Sequence, residues 1–148
     1  QPIARQFAAQ PDARQPQLGG GTGLVPAMAD QRLAQHPRFQ RLHTLLEAAI
    51  EAAGGQIVAS NAPRLATIGS YRMPGKPSSA QLIQFDLAGI SVSAGSACSS
   101  GTLKTSHVLK AMGMGEEEAS EVIRVSFGPE TSRADIYRFV ETWQRIRG

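Results

Sequence analysis

Residues 122–127 carry the most regular strand pattern in the sequence, and they constrain the fold more than any other segment. Alternation places Ile123, Val125 and Phe127 on one face of a strand, and the other face carries Val122, Arg124 and Ser126. A strand with an apolar face has to bury that face against another element. The segment therefore predicts a sheet with at least one packed layer.

Apolar residues at helical spacing occur both before and after this strand, and the helices they predict are candidates for the packed layer. One amphipathic helix is predicted over 37–53, with Pro37 in its first turn and Gly54-Gly55 as its stop. The terminal helix is predicted to begin at Ser132, with Asp135 in its first turn, and to run to about 146. The expected inner face of this last helix comprises Ile136, Phe139, Val140 and Trp143.

The other predicted elements are brief. They are helices at 26–35, 78–89 and 106–112, and strands at 56–60, 65–71 and 90–92. In the 78–89 helix, the residues expected to face inward are Leu82, Ile83, Phe85 and Leu87. Because helices alternate with short, irregular strands, we expect an α+β fold in which helices cover a small mixed or antiparallel sheet.

The N-terminal segment differs in composition from the rest. Residues 1–24 are rich in Gln, Pro and Gly and include the run Gly19–Gly21, which predicts a flexible arm and Gly-rich hinge before a single domain at 25–148. The segment has neither an initiating Met nor an apolar core. We therefore expect no signal peptide and interpret the chain as a piece of a longer protein.

Charge and cysteine content exclude several classes of function. The net charge of +3 comes from scattered arginines without interleaved aromatic residues, which argues against direct nucleic acid binding. No apolar run reaches the roughly 18–20 residues that a membrane-spanning helix needs. Cys98 is the only cysteine, so no internal disulfide can form, and this favours a reducing cytoplasm.

Cys98 lies among small residues, in the run Ser93-Ala-Gly-Ser-Ala-Cys-Ser-Ser-Gly101. Large apolar neighbours, which usually surround an inert cysteine, are absent from this run. A loop of this kind allows close approach to the sulfur, and its hydroxyl and N–H groups can stabilise a thiolate. A reactive thiol and an incidental loop cysteine both remain open.

Arg124 is the second candidate, because a charge on a central strand needs a partner or solvent. Its guanidinium presents a fork that matches a carboxylate, so it could hold an amino-acid substrate. The alternative is a surface arginine whose head group meets water.

The histidines and the acidic run are weak signals. His36 adjoins a proline, His43 is predicted on the polar side of its helix, and His107 is a distant candidate base for the thiol. No cluster has metal-ligand spacing, so we expect no metal site. The run Glu116–Glu118 is interpreted as a solvated helix start.

Three segments in order carry a family resemblance: 93–101, 106–113 (Ser-His-Val-Leu-Lys-Ala-Met-Gly) and 123–128 (Ile-Arg-Val-Ser-Phe-Gly). With the capped terminal helix, they resemble the C-terminal region of NifS/IscS-like cysteine desulfurases, which belong to the class V aminotransferase family of pyridoxal-phosphate enzymes. The resemblance covers about 54–148. Residues 19–27 also resemble a shortened form of the family's Gly-rich segment.

The resemblance implies a small domain like the C-terminal domain of fold-type I pyridoxal-phosphate transferases. Cys98 would take sulfur from the substrate L-cysteine as a persulfide, leaving L-alanine, and Arg124 would hold the substrate carboxylate. Thr22 would reach the cofactor phosphate of the partner subunit in a homodimer. The sulfur would pass to an acceptor protein such as an iron–sulfur scaffold.

One departure from the family is large. The cofactor is held there by a lysine that follows a histidine, and none of Lys76, Lys104 and Lys110 has that context. We therefore expect this chain alone to be inactive and interpret it as a domain separated from the cofactor-binding one. Two alternatives stay open: a non-catalytic sulfur-carrier or interaction module, and a class V relative that acts on another amino acid, such as selenocysteine.

Overall fold

The computed structural model describes residues 36–97 and 103–148. The helices are α1 (Pro37–Ala52), α2 (Ser78–Leu87), α3 (His107–Ala111), α4 (Glu116–Ser120) and α5 (Arg133–Arg147). The strands are β1 (Gln56–Ile57), β2 (Ile68–Arg72), β3 (Ser93–Ala94), β4 (Ser96–Ala97), β5 (Leu103–Lys104) and β6 (Val122–Ser126). The predicted arm, the predicted helix at 26–35, Thr22 and Cys98 lie outside the described residues.

The central sheet of the described residues is antiparallel, in the order β1-β2-β6-β3. β2 and β6 form its longest pairing, which runs from Ile68 opposite Ser126 to Arg72 opposite Val122. β4 and β5 pair separately as a short antiparallel ladder. The predicted α+β fold, a small sheet covered by helices, is therefore confirmed. Of the mixed and antiparallel sheets that were expected, the antiparallel one is observed.

The core lies between the sheet and the helices α1, α2 and α5. Tyr71 on β2 and Ile123 on β6 are fully buried there, and Trp143 on α5 is fully buried with them. Phe85 and Phe139 stack across the α2–α5 contact with ring centroids 4.7 Å apart. On the opposite face of the sheet, Val122 packs with Leu109 of α3 and Ala119 of α4, while Arg124 is exposed.

Both long helices begin as predicted. Pro37 starts α1, and the Nδ1 atom of His36 accepts a hydrogen bond from the N–H of Arg38 at 3.2 Å. At α5, Ser132 and Asp135 form a reciprocal capping box, which satisfies N–H groups that a helix start otherwise leaves without partners. The predicted inner face of α5 is confirmed, with Val140 only partly buried.

The predicted inner face of α2 is partly wrong. Phe85 is buried, but Ile83 and Leu87 are 60% and 77% exposed. Gln81 is fully buried and donates from Nε2 to the carbonyls of Lys76 and Glu121, at 2.7 and 2.8 Å. These two hydrogen bonds fix the rotation of α2, so the helix turns Gln81 and Phe85 inward.

Two strand predictions are also displaced. The strand predicted at 90–92 is observed at Ser93–Ala94, because the N–H of Ile90 bonds to the carbonyl of Phe85 and cannot join a ladder. The strand predicted at 56–60 stops after Ile57, and Ala59 has a positive φ of 56°. β2 begins at Ile68, three residues after its predicted start.

Helices α1 and α2 end in the same hydrogen-bonded motif. At α2, Gly89 has φ of 71°, its N–H bonds to the carbonyl of Asp86, and the N–H of Ile90 bonds to that of Phe85. Ile90 and Phe85 are then both buried in the core. The turn sends the chain from α2 toward β3.

We predict that Gly89→Ala destabilises the protein by about 1 kcal/mol, because a Cβ is disfavoured at this positive φ. Space is not the cause, since the nearest atom to a Cβ there, Arg138 Nη2, would be 3.8 Å away. Urea unfolding measures the change. Gly89→Asn is the matched control and should lose less stability than Gly89→Ala, since asparagine tolerates a positive φ better than alanine does. Equal losses of stability would contradict the backbone explanation.

Among the described residues, no helix is both long and apolar enough to cross a membrane.

Candidate functional site

Arg124 projects from the middle of β6 on the face of the sheet opposite α1, α2 and α5. The register places Ser70 of β2 on one side of it and Ser93 of β3 on the other, so one row of the sheet reads Ser-Arg-Ser. The side chain of Arg124 is exposed, and its guanidinium makes no hydrogen bond or ion pair with any residue in 36–97 or 103–148. The alternation predicted for this strand is confirmed.

This row has the chemical character of a carboxylate-binding surface. A free guanidinium offers two parallel N–H donors to a carboxylate, and the flanking serines are too small to cover it. The two neighbouring strands hold the backbone of Arg124 on both sides. The arrangement therefore presents a fixed cation that is open to a partner or ligand.

Cys98, the second predicted site residue, lies in the sequence shortly after β3. Gly95, with φ of 59°, turns the chain from β3 into β4, and β4 pairs with β5 through Ser96–Lys104 and Ala97–Leu103. Cys98 immediately follows Ala97 but lies outside the described residues, as does Thr22. Of the three predicted site residues, Arg124 alone lies within the described residues.

A partly buried ion-pair network lies beside this face, and the sequence reasoning missed it. Arg72 donates from Nε to Oε2 of Glu121 at 2.7 Å and from Nη1 to Oε1 of Glu118 at 2.7 Å. The other carboxylate oxygen of Glu121 accepts from the N–H of Gly75 at 2.7 Å. Alternation along β2 could have placed Arg72 on the face of Arg124, but nothing in the sequence indicated its partners.

This network connects β2 to the start of β6. Glu121 directly precedes β6 and is 6% exposed, while its backbone carbonyl accepts from both Gln81 and the N–H of Met73. Glu116–Glu118 do begin a helix, as predicted, but Glu118 is paired with Arg72 as well as partly solvated. The strand that carries Arg124 is therefore anchored by the residue that directly precedes it.

A second polar cluster lies under α1, and here a prediction was wrong. His43 was expected on the polar side of α1 but is 8% exposed, because the ring of Phe127 packs edge-on against it at 6.2 Å. Glu47 forms a two-point ion pair with Arg64 and lies 3.5 Å from Nε2 of His43. The cluster joins α1 to the segment between β1 and β2.

Burial controls the ionisation of this cluster. Desolvation lowers the pKa of His43 below its ordinary value of 6.5; Glu47 opposes this shift, and the positive charge of Arg64 adds to it. Burial also raises the pKa of Tyr71, with Glu47 contributing in the same direction. Both side chains are therefore held in their neutral forms.

The other candidate residues do not join Arg124. His107 begins α3 and is exposed, and Lys110 forms an ion pair with Glu116 at 2.9 Å. Lys76 lies in the turn before α2, where its carbonyl accepts from Gln81. No group of metal-binding side chains occurs in the described ranges.

Comparison with known proteins gives these features a context. No family model matches the sequence. A cysteine desulfurase of Rhodobacter capsulatus is 36% identical over 120 residues, which are 80% of this chain and 31% of that protein. The crystal structure of a NifS-like protein from Rickettsia africae superposes with a TM-score of 0.64 and 34% identity, over 74% of this chain and 28% of that one.

The chain is homologous to part of the cysteine desulfurases. It spans about a third of the length of these relatives. A ureidoglycine–glyoxylate aminotransferase of Bacillus subtilis superposes with a TM-score of 0.54 at 14% identity, over 80% of this chain and 27% of that one. That likeness concerns the fold alone, which the desulfurase homologue shares with aminotransferases.

We predict that His43 makes the stability of this desulfurase homologue depend on pH. Its folded pKa lies below 6.5, so the unfolded chain binds the proton more tightly. The stabilising contribution of neutral His43 is therefore present above about pH 6.5 and is lost as the pH falls from there toward the folded pKa. His43→Gln should flatten this part of the stability curve.

Urea unfolding from pH 7.5 to 5 measures that slope. The control is His107→Gln, because His107 is exposed at the start of α3 and its loss should leave the slope unchanged. Identical slopes for the wild type and His43→Gln would contradict the role of His43.

Proposed function

We propose that this chain is the small domain, preceded by a Gly-rich arm at 1–24, of a pyridoxal-phosphate-dependent cysteine desulfurase. The complete enzyme would remove sulfur from L-cysteine, leave L-alanine and deliver the sulfur to an acceptor protein such as an iron–sulfur scaffold. Homology to cysteine desulfurases supports the proposal. The structural observation that supports it is Arg124, which is exposed between two serines of the sheet and has no ion-pair partner among the described residues.

Arg124 would bind the carboxylate of the substrate cysteine. On the same face of the sheet, the less exposed Arg72 is paired with two carboxylates, those of Glu118 and Glu121. Arg124 is flanked by Ser70 and Ser93 instead, so an incoming carboxylate meets no competing negative charge in that row. A bidentate contact would also fix the orientation of the amino acid.

Cys98 would be the sulfur acceptor. Its thiolate would bond to the substrate sulfur while the carbon–sulfur bond of the substrate breaks, and the substrate carbon would keep the electron pair and gain a proton. Each sulfur is oxidised by one electron, the carbon is reduced by two, and the products are a Cys98 persulfide and alanine, so no external oxidant is needed.

The covalent connection through Ser93 limits how far Cys98 can lie from Arg124. Ser93 pairs with Arg124, and Cys98 follows Ser93 by five residues. An extended chain advances at most about 3.6 Å per residue, so covalent geometry keeps the two Cα atoms of Ser93 and Cys98 within about 18 Å. A small-residue loop of that reach suits a sulfur that must meet both substrate and acceptor.

The described residues fit the substrate carboxylate but not the cofactor. Pyridoxal phosphate needs a lysine for its imine, and none of Lys76, Lys104 and Lys110 follows a histidine as the cofactor lysine of the resembled family does. We therefore assign the cofactor lysine to a part of the enzyme outside this sequence. Thr22 would contribute to the phosphate of a partner subunit in a homodimer.

We predict that Cys98 becomes a persulfide when the purified chain is incubated with an intact cysteine desulfurase and L-cysteine. The adduct should add about 32 Da, the mass of one sulfur, and should disappear on reduction with dithiothreitol. Mass spectrometry of the intact chain measures it. Because the sequence contains one cysteine, the position of the adduct is unambiguous.

Cys98→Ser is the matched control and should gain no mass. If the wild-type chain also stays unmodified while the desulfurase turns over cysteine, the assignment of Cys98 as a sulfur acceptor is wrong.

We predict that Arg124→Lys, placed in the full-length enzyme, raises the KM for cysteine by roughly ten-fold, because lysine cannot reproduce the two parallel hydrogen bonds. Steady-state alanine formation measures it. Arg138→Lys is the control, since Arg138 is a surface residue of α5 that bonds to the carbonyl of Ala88. An unchanged KM for Arg124→Lys would argue against carboxylate binding.

A further inference from the structure

A concave surface rich in arginine lies between α1 and α5, on the side of the helices away from Arg124. We call it the arginine groove; its lining residues are Arg38, Arg41, Leu42, Leu45, Ser132 and Arg133. Its volume is about 480 Å³. A second cavity of about 600 Å³ adjoins it along α1 and shares Arg41 and Leu45. The site proposed above uses none of these residues.

The two helices run side by side in the same direction, so their positive ends meet at this groove. Near their starts, Arg38 of α1 donates to the carbonyls of Pro129 and Thr131 at 2.9 and 2.7 Å. Near their ends, a Cβ on Gly55 would meet Trp143 of α5 at 2.7 Å. The partial positive charges of two helix N-termini therefore add to the arginine charges.

Two of the three guanidinium groups are already held in position. The carbonyl contacts fix that of Arg38, while the Nε of Arg133 donates to the hydroxyl of Tyr137 at 2.9 Å. Because the carbonyl and hydroxyl partners carry no formal charge, they do not neutralise either guanidinium. Because these side chains are ordered beforehand, binding an anion costs less conformational entropy.

Arg41 is available to a partner. Across the described residues its side chain forms no hydrogen bond and no ion pair. Two acids lie close by in sequence: Asp135, whose carboxylate caps α5, and the exposed Glu130. Three arginines and two helix starts outweigh these two carboxylates, so the groove is cationic.

The floor of the groove is apolar. Leu42 is buried beneath it and Leu45 is partly buried at its edge. An apolar floor between cationic rims fits a peptide that carries carboxylates next to leucine-like side chains. A nucleic acid strand would instead favour exposed aromatic rings and a longer row of cations.

We propose that the arginine groove is a docking site for an acidic, partly apolar segment of another protein. The preceding residues of this chain do not match it in charge, because 1–35 contain three arginines and two aspartates, a net charge of +1. A second copy is also disfavoured, since each chain carries +3. Charge complementarity therefore assigns the groove to an acidic partner.

The test is fluorescence anisotropy of a labelled peptide of repeated Glu-Glu-Leu triplets titrated with the full 148-residue chain. Binding should weaken with added salt and should be absent for a Gln-Gln-Leu peptide. The double variant Arg41→Gln, Arg133→Gln should weaken binding by about five-fold or more. The control, Arg145→Gln with Arg147→Gln, removes two charges near the other end of α5 and should change it little.

Arg41→Glu alone provides a second test that leaves the contacts of Arg38 and Arg133 intact, and it should weaken binding as much as the double variant. The proposal is overturned if no peptide binds, or if both double variants lose affinity equally. It is also overturned if single-stranded DNA of equal charge binds at least as tightly. Self-association of the wild type in sedimentation, abolished by Arg41→Glu, would assign the groove to a second copy instead.

Discussion

The packing of β6 determines most of the rest of this structure. Ile123 and Val125 are buried against the helices, while Arg124 between them faces the opposite side of the sheet. Strands pair with β6 on both of its edges. Because each side chain of a strand is committed to one face, a one-residue slip would bury the guanidinium and expose two core residues. The apolar contacts of the core therefore also fix the direction of Arg124.

The anchoring of β6 depends on polar groups that are almost fully buried. Glu121 is held through its carboxylate by Arg72 and Gly75 and through its carbonyl by Gln81. A buried carboxylate is tolerated only when it is paired and hydrogen-bonded, and here both conditions are met. One residue thus connects a strand, a turn and a helix, which ties the layers of the fold together beside the proposed substrate site.

Much of this fold could be predicted from local patterns. The cap at Ser132, the proline start of α1 and the alternation in β6 each express a preference that few neighbouring residues can override. The inner face of α2 could not be predicted, because the burial of Gln81 instead of Ile83 depends on the carbonyl of Glu121, 40 residues away in sequence. His43 was misplaced for a related reason, since its burial depends on Phe127.

The candidate site was predicted in part. Residue types and spacing indicated Arg124 as exceptional, and pairing across the sheet then added the two serines that flank it. The anchoring pair of Arg72 and Glu121 had no sequence signal, because its members are 49 residues apart. The proposed roles of Cys98 and Thr22 rest on the family resemblance, because both residues lie outside the described residues.

The single tryptophan has a practical consequence. Trp143 is fully buried where the end of α5 meets Gly55, and it packs near Phe139 with ring centroids 6.0 Å apart. Its indole is on the opposite side of the sheet from Arg124, so its emission reports the closure of the helical layer rather than the occupancy of the face that carries Arg124. The molecule therefore contains its own optical probe of global unfolding, without any added label.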